Sequence, residues 1–131
     1  VLFANEVLDA LPVHRFVIRG GEPRELHVAL DAGGAFTFVE READLMLLGA
    51  VRAVEEDLDG PLPEGYVSEL APQLPYWFDA ICGTLRAGMA VFVDYGYSRR
   101  EYYRPERNRG TLLSFYRHQA HERFLERPGL Q

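Results

Sequence analysis

No lysine occurs among the 131 residues, so every permanent side-chain cation is an arginine guanidinium. GC-rich coding produces the same bias, which therefore carries little functional weight alone. A single cysteine, Cys82, excludes an internal disulfide and lends no support to export. No apolar run reaches the roughly 18 residues of a membrane span, so no membrane insertion is expected. No secretory leader pattern opens the chain. G-x-G-x-x-G, the P-loop pattern and G-x-S-x-G are all missing. Nothing in these residues cradles a nucleotide or builds an esterase nucleophile elbow by itself. Together these absences lead to the expectation of a soluble intracellular chain. The residues that are present suit one globular domain: 47% apolar and 26% charged, a balance that argues against disorder at a length able to bury a core.

The net charge of −6 conceals a split. Through Asp94 there are 16 acids and 6 arginines, a net −10; from Tyr95 onward there are 4 acids and 8 arginines, a net +4. An acidic front does not suit nucleic-acid binding, which gains from neutralising phosphate. The arginine- and tyrosine-rich stretch from Tyr95 to Gly110 could hold a phosphate, a nucleic-acid backbone or an acidic partner locally, but a solvated loop is the favoured reading.

Val1-Leu2-Phe3-Ala4 is an apolar run that reads as a buried strand, and such a strand wants neighbours on both sides. The N-terminus is therefore expected to be a cut within a larger domain. Pro12 limits the segment after this strand to a single helical turn. His14 to Glu40 reads as an antiparallel meander, turning at Gly20-Gly21 and at Asp31–Gly34. Ala43 to Asp57 is expected to be helical. Pro72 and Pro75 forbid one long helix from Val67. A helix starting near Pro75 would gather Trp77, Phe78, Ile81, Cys82 and Leu85 on one face and end at Gly88. Met89–Val93 is a second solid strand, ending at Asp94, and Thr111–Tyr116 is a third candidate. Strand–helix–strand at both ends of the meander predicts an α/β fold.

In open α/β sheets ligands bind beyond the carboxyl ends of the strands. If the two solid strands are parallel, Asn5, Glu6 and Asp9 meet Asp94, Tyr95 and Gly96 on one edge. Glu6 and Asp9 stand three apart and share a face on a helical turn. Paired carboxylates there match the N–H donors of a guanidinium or ammonium. A bland reading stands level with this one: Asn5 or Asp9 caps a turn and Glu6 is solvated. Asp94 equally suits the start of a turn, and Tyr95 reads slightly better as a core-edge aromatic. His118 and His121 lack a clear third ligand, so no metal is expected. Cys82 reads as a small buried hydrophobe.

Ala4-Asn5-Glu6-Val7-Leu8-Asp9-Ala10-Leu11-Pro12-Val13 resembles a signature of the MidA family, class I S-adenosylmethionine-dependent methyltransferases. Three further stretches are similar to the family in the same order: Glu64–Glu69 (EGYVSE), Val93–Tyr97 (VDYGY), and a closing region of Gly110–Leu113 (GTLL), Tyr116–His118 and Pro128–Gln131. The family includes a mitochondrial complex I assembly factor that methylates a protein arginine.

The resemblance implies the later part of a Rossmann-like methyltransferase sheet, fourth strand onward, with residues 14–40 as an inserted β meander. The glycine-rich cofactor loop and the final strand would lie outside these residues, so the isolated chain is expected to bind S-adenosylmethionine weakly and to be inactive. It further implies Asn5 and Glu6 near the bound donor and the substrate pocket; the acidic pair at that edge adds the expectation that Glu6 and Asp9 are catalytic and orient a guanidinium. With them go Asp94 and Tyr95 as substrate contacts, a protein substrate such as a complex I subunit, and a bacterial cytoplasmic location, with the mitochondrial matrix as alternative. A non-catalytic assembly module of the same fold, binding through the meander and the arginine loop, is the competing reading.

Overall fold

The computed structural model describes residues 1–130; Gln131, the last residue of the closing motif, lies outside them. Two solid apolar strands do pair. β1 (Leu2–Asn5) runs parallel to β6 (Ala90–Val93), with Leu2 opposite Ala90 and Asn5 opposite Val93. The Glu6 amide extends the ladder by one bond to Val93 O, at 2.8 Å. Neither strand is fully buried: Leu2 and Ala4 face inward, while Phe3 is 67% exposed. On the inner face, α2 (Leu74–Cys82) covers the pair. Trp77 and Phe78 both meet Phe92 edge-on, with ring centroids 5.9 and 4.9 Å away. This is the geometry aromatic quadrupoles favour. Pro75 stands in the first turn of α2, where its missing N–H costs nothing. The helix ends at Cys82 rather than near Gly88, and Leu85 falls beyond it.

The meander forms as expected and gains a fourth strand. β2 (His14–Arg19), β3 (Glu22–Leu30) and β4 (Phe36–Glu42) run antiparallel, and β5 (Val67–Leu70) pairs antiparallel with β2, giving the order β4-β3-β2-β5. Gly20 and Gly21 both adopt left-handed φ, +59° and +79°, as a two-residue hairpin turn matched to strand twist requires. β5 is one element that sequence periodicity missed. Four residues, two of them polar, give too short a pattern, and its partner β2 lies some fifty residues earlier.

The core sits between this sheet and α1 (Leu45–Asp57). Leu47, Val51 and Val54 recur at helical spacing and pack on Phe16 and Ile18, which share one face of β2. Leu62, Tyr66 and Tyr103 close the cluster. α1 begins where Asp44 accepts the Leu47 amide at 2.8 Å, satisfying one of the orphan donors of the first turn. Asp44→Ala is expected to cost about 1 kcal/mol, read as a lower denaturation midpoint at unchanged slope.

The stretch after β6 is more ordered than a long loop. It carries a short helix, α3 (Arg99–Tyr102), capped by Ser98 and Glu101, and a 3₁₀ turn (Pro105–Arg107). Only the latter half of the third strand candidate is a strand: β7 (Ser114–Tyr116) forms a hairpin with β8 (Gln119–His121). The arginines of this region find partners within the chain. Arg99 pairs with Asp57, Arg100 with Asp59 at 3.0 Å and Arg109 with Glu122 at 3.5 Å. Arg107 lies 3.7 Å over the Tyr97 ring. Arg99 and Arg100 thus tie the basic back of the chain to its acidic front, while Arg107 and Arg109 are engaged within the back, so these four cations are not arrayed for an anion.

Candidate functional site

Because β1 and β6 are parallel and in register, both chain segments that leave them start on one edge. Asp94 joins them. Its Oδ2 accepts the amides of Val7 and Leu8 at 3.1 and 2.7 Å, and its Oδ1 accepts the Tyr95 amide at 3.0 Å. One carboxylate therefore fixes the loop after β1 to the loop after β6. Asp94 has a clear positional duty that the sequence alone did not separate from ordinary turn formation.

The loop after β1 is not a helical turn carrying Glu6 and Asp9 on a shared face. Glu6 adopts φ +50°, a left-handed conformation uncommon outside glycine and asparagine, which breaks any helix at that residue. A turn comes next, with the Leu11 amide reaching Leu8 O at 3.2 Å. Tyr95 is the group that gathers the acids. Its hydroxyl donates to Asp9 Oδ2 at 2.5 Å. The phenol is pushed up from its usual range by that bond to Asp9, reinforced by the charges of Asp9, Glu6 and Asp94. Tyr95 is an exposed member of this cluster, not a core-edge ring.

Asn5 and Glu6 are both exposed, and neither side chain has a hydrogen-bond partner among the described residues. The edge thus separates two kinds of group. Asp94 and Asp9 hold the geometry; Asn5 and Glu6 keep their polar atoms available.

From this cluster a groove of about 1150 Å³ opens along the molecule. Asp9, Tyr95 and Tyr97 line it on the side of the β1–β6 edge, and Arg15, Glu69 and the segment 109–113 line it on the side of the four-stranded sheet. The second set went unread in sequence. Glu69 closes the EGYVSE stretch and Gly110 opens GTLL, yet they are 41 positions apart and nothing in their spacing signals contact.

Two tyrosines brace the same region. Tyr66 donates to Arg104 O at 3.0 Å, and Tyr103 donates to Glu69 O at 3.0 Å. Burial pushes Tyr66 up to about 12 and raises Tyr103 as well. Both phenols therefore stay protonated donors throughout the physiological range.

The same fold occurs in known proteins. Residues 1–131 match the model of a family described as "Putative S-adenosyl-L-methionine-dependent methyltransferase". The chain is similar to a crystal structure from Burkholderia thailandensis described as "a COG1565 superfamily member and likely methyl transferase" bound to S-adenosyl-homocysteine. Identity is 35% and the TM-score 0.83, over 98% of this chain and 32% of that one. A native crystal structure of a COG1565 superfamily protein from the same organism is similar at 36% identity and TM-score 0.84, over 98% and 33%. The chain therefore spans about a third of the length of either structure. No curated protein matches it. The match along the whole chain, together with an α/β layer whose parallel strands end at one polar edge, shows that the chain belongs to this family of S-adenosyl-L-methionine-dependent methyltransferases.

Proposed function

We propose that the full-length protein transfers a methyl group from S-adenosylmethionine to a guanidinium nitrogen of a protein arginine, as a MidA-type enzyme. The observation that supports this reading is the parallel register of β1 and β6, which brings the unengaged Glu6 to the same edge as the Asp9–Tyr95 pair, and that pair lines a long groove. The donor fits the edge chemically: Asn5 succeeds the apolar stretch Leu2–Ala4 directly, with its amide exposed and unpaired, able both to give and to accept hydrogen bonds.

When bound, S-adenosylmethionine supplies an electrophilic sulfonium methyl. Glu6 accepts two guanidinium N–H groups and orients the nucleophilic nitrogen in line with that methyl. Asp9, held by Tyr95, adds negative charge where the substrate is cationic. As the new C–N bond forms and the C–S bond breaks, the nitrogen sheds one proton, with Glu6 the acceptor at hand. Most of the acceleration comes from placement and exclusion of water. Asp94 serves by holding both loops in place, and Tyr95 borders the substrate.

An open groove lined from both sheets can admit an arginine side chain presented on a polypeptide. Val28, Leu30 and Phe36, exposed on the β3–β4 hairpin, offer apolar surface to such a partner. A complex I subunit, or its bacterial counterpart in the cytoplasm, is the substrate proposed. Cells lacking the gene would be compared with wild type by mass spectrometry of respiratory subunits. The expected result is loss of methylarginine at one site on deletion, restored by the wild-type gene. An unchanged methylarginine pattern rejects the arginine assignment.

A further inference from the structure

Two motifs, EGYVSE and GTLL, have no duty in the methyl transfer proposed, and they touch. Glu69 lies on β5 and is 2% exposed. Its Oε1 accepts Arg15 Nε at 3.2 Å and its Oε2 accepts the Thr111 amide at 2.8 Å. Between them sits Gly110 at φ +84°, where an added Cβ would stand 2.1 Å from Glu69 Oε1. Glycine is thus required twice, for the left-handed backbone and for the approach of the carboxylate.

Arg15 is itself immobilised. Its guanidinium lies 5.1 Å from both the Phe38 and the Phe124 ring centroids, and its Nη2 donates to Arg109 O at 2.9 Å. Tyr102 and Thr111 share a hydroxyl bond of 2.7 Å. The segment 109–111 is therefore held at Arg109 and at Thr111 by a buried acid and its arginine, and that segment lines the same groove as Asp9 and Tyr95. Burial pushes the Glu69 carboxyl up, while the Thr111 amide and Arg15 pull it back. Burying a carboxylate is costly unless it is paired, and an apolar residue would have filled the space more simply.

We propose that Glu69 is a positioning residue for acceptor binding: through Arg15, Gly110 and Thr111 it fixes the groove lining at residues 109–111 and so sets how well the acceptor seats in the groove that Asp9 and Tyr95 also line. This role rests on the methyltransferase reading. The meander sheet is then part of the acceptor site rather than a decoration, since Arg15 comes from β2 and Glu69 from β5.

The test uses the full-length protein with a blocked pentapeptide carrying a central arginine as acceptor and S-adenosyl-homocysteine as donor-site probe. Gly110→Ala, and separately the milder Glu69→Gln, are expected to raise the acceptor KM about tenfold, with kcat and donor-site affinity within about threefold. Shortening the acid in the Gly110→Ala background, by Glu69→Asp, should bring the raised KM part of the way back, because the carboxylate retracts from the added methyl. Trypsin supplies a readout independent of acceptor chemistry: cleavage after Arg107 and Arg109 should quicken about tenfold in Glu69→Gln, with the global melting temperature nearly unchanged.

If acceptor KM is unchanged, or if kcat, donor affinity and melting temperature all fall together with the rise in KM, Glu69 is a structural staple only and the proposal is overturned. If the wild-type protein methylates no guanidine, the reaction assignment falls. The clamp is then decided by trypsin: unchanged cleavage overturns it, and faster local cleavage upholds its hold on the segment.

Discussion

Glu6→Gln in the full-length protein is expected to lower methyl transfer about 10²- to 10³-fold, with S-adenosyl-homocysteine affinity within about twofold of wild type. The effect is chemical rather than steric. Glutamine keeps the shape and one acceptor oxygen but loses the charge and the second acceptor, so it can neither grip a guanidinium through two parallel bonds nor take up the proton that the nitrogen releases. The substitution leaves the backbone alone, since glutamine meets the left-handed φ of residue 6 no better and no worse than glutamate does. A radiolabelled methyl-transfer assay set beside calorimetric titration of S-adenosyl-homocysteine separates the two effects. Undiminished turnover would remove Glu6 from the reaction. An equal loss of donor affinity would move it to the donor's side of the edge.

Asp94→Ala should act differently, on both halves of the site at once. Three amides, those of Val7, Leu8 and Tyr95, lose their common acceptor. Bonds to a charged acceptor contribute about 1.5–3 kcal/mol each where water is excluded. Here water can replace part of that, so a stability loss of about 2 kcal/mol is expected for the whole set. The functional loss is larger. With the clamp gone, Glu6 is no longer held in its left-handed conformation, and Asp9 and Tyr95 separate with their loops. A misplacement near 1 Å costs about 10²-fold in rate, and Asn5 moves too, so donor affinity should weaken along with turnover. Asp94→Asn retains acceptor oxygen on one side only and should fall between. Wild-type turnover in Asp94→Ala would mean that the two loops hold their places without the clamp.

Much of the local structure was legible in the chain. Leu47, Val51 and Val54 announce a buried helical stripe; Leu26, Val28 and Leu30 announce a strand; Gly20-Gly21 announces a hairpin. Each rests on neighbours a few positions apart, where periodicity and turn chemistry act directly. The shared polar edge was legible conditionally. Asn5, Glu6, Asp9, Asp94 and Tyr95 could be named, but only if their two strands ran the same way, and the register of Asn5 opposite Val93 supplies that condition.

Division of labour within the edge was not legible. A carboxylate at a strand end looks the same in sequence whether it holds backbone amides, as Asp94 does, meets a phenol, as Asp9 does, or stands unengaged, as Glu6 does. The pairing of Glu69 with Arg15, Gly110 and Thr111 was further out of reach, because it joins four positions across ninety-six residues.

By itself, then, the chain determined its longer helices and strands, its α/β class and the identity of the polar residues that leave the two apolar strands, all of which come from short-range pattern. The tertiary structure decided which acids are tied and which are available, where the groove runs, and that the β meander supplies part of its lining. Hydrogen bonds are satisfied between whichever groups folding brings within about 3 Å, and that proximity depends on the packing of every layer together.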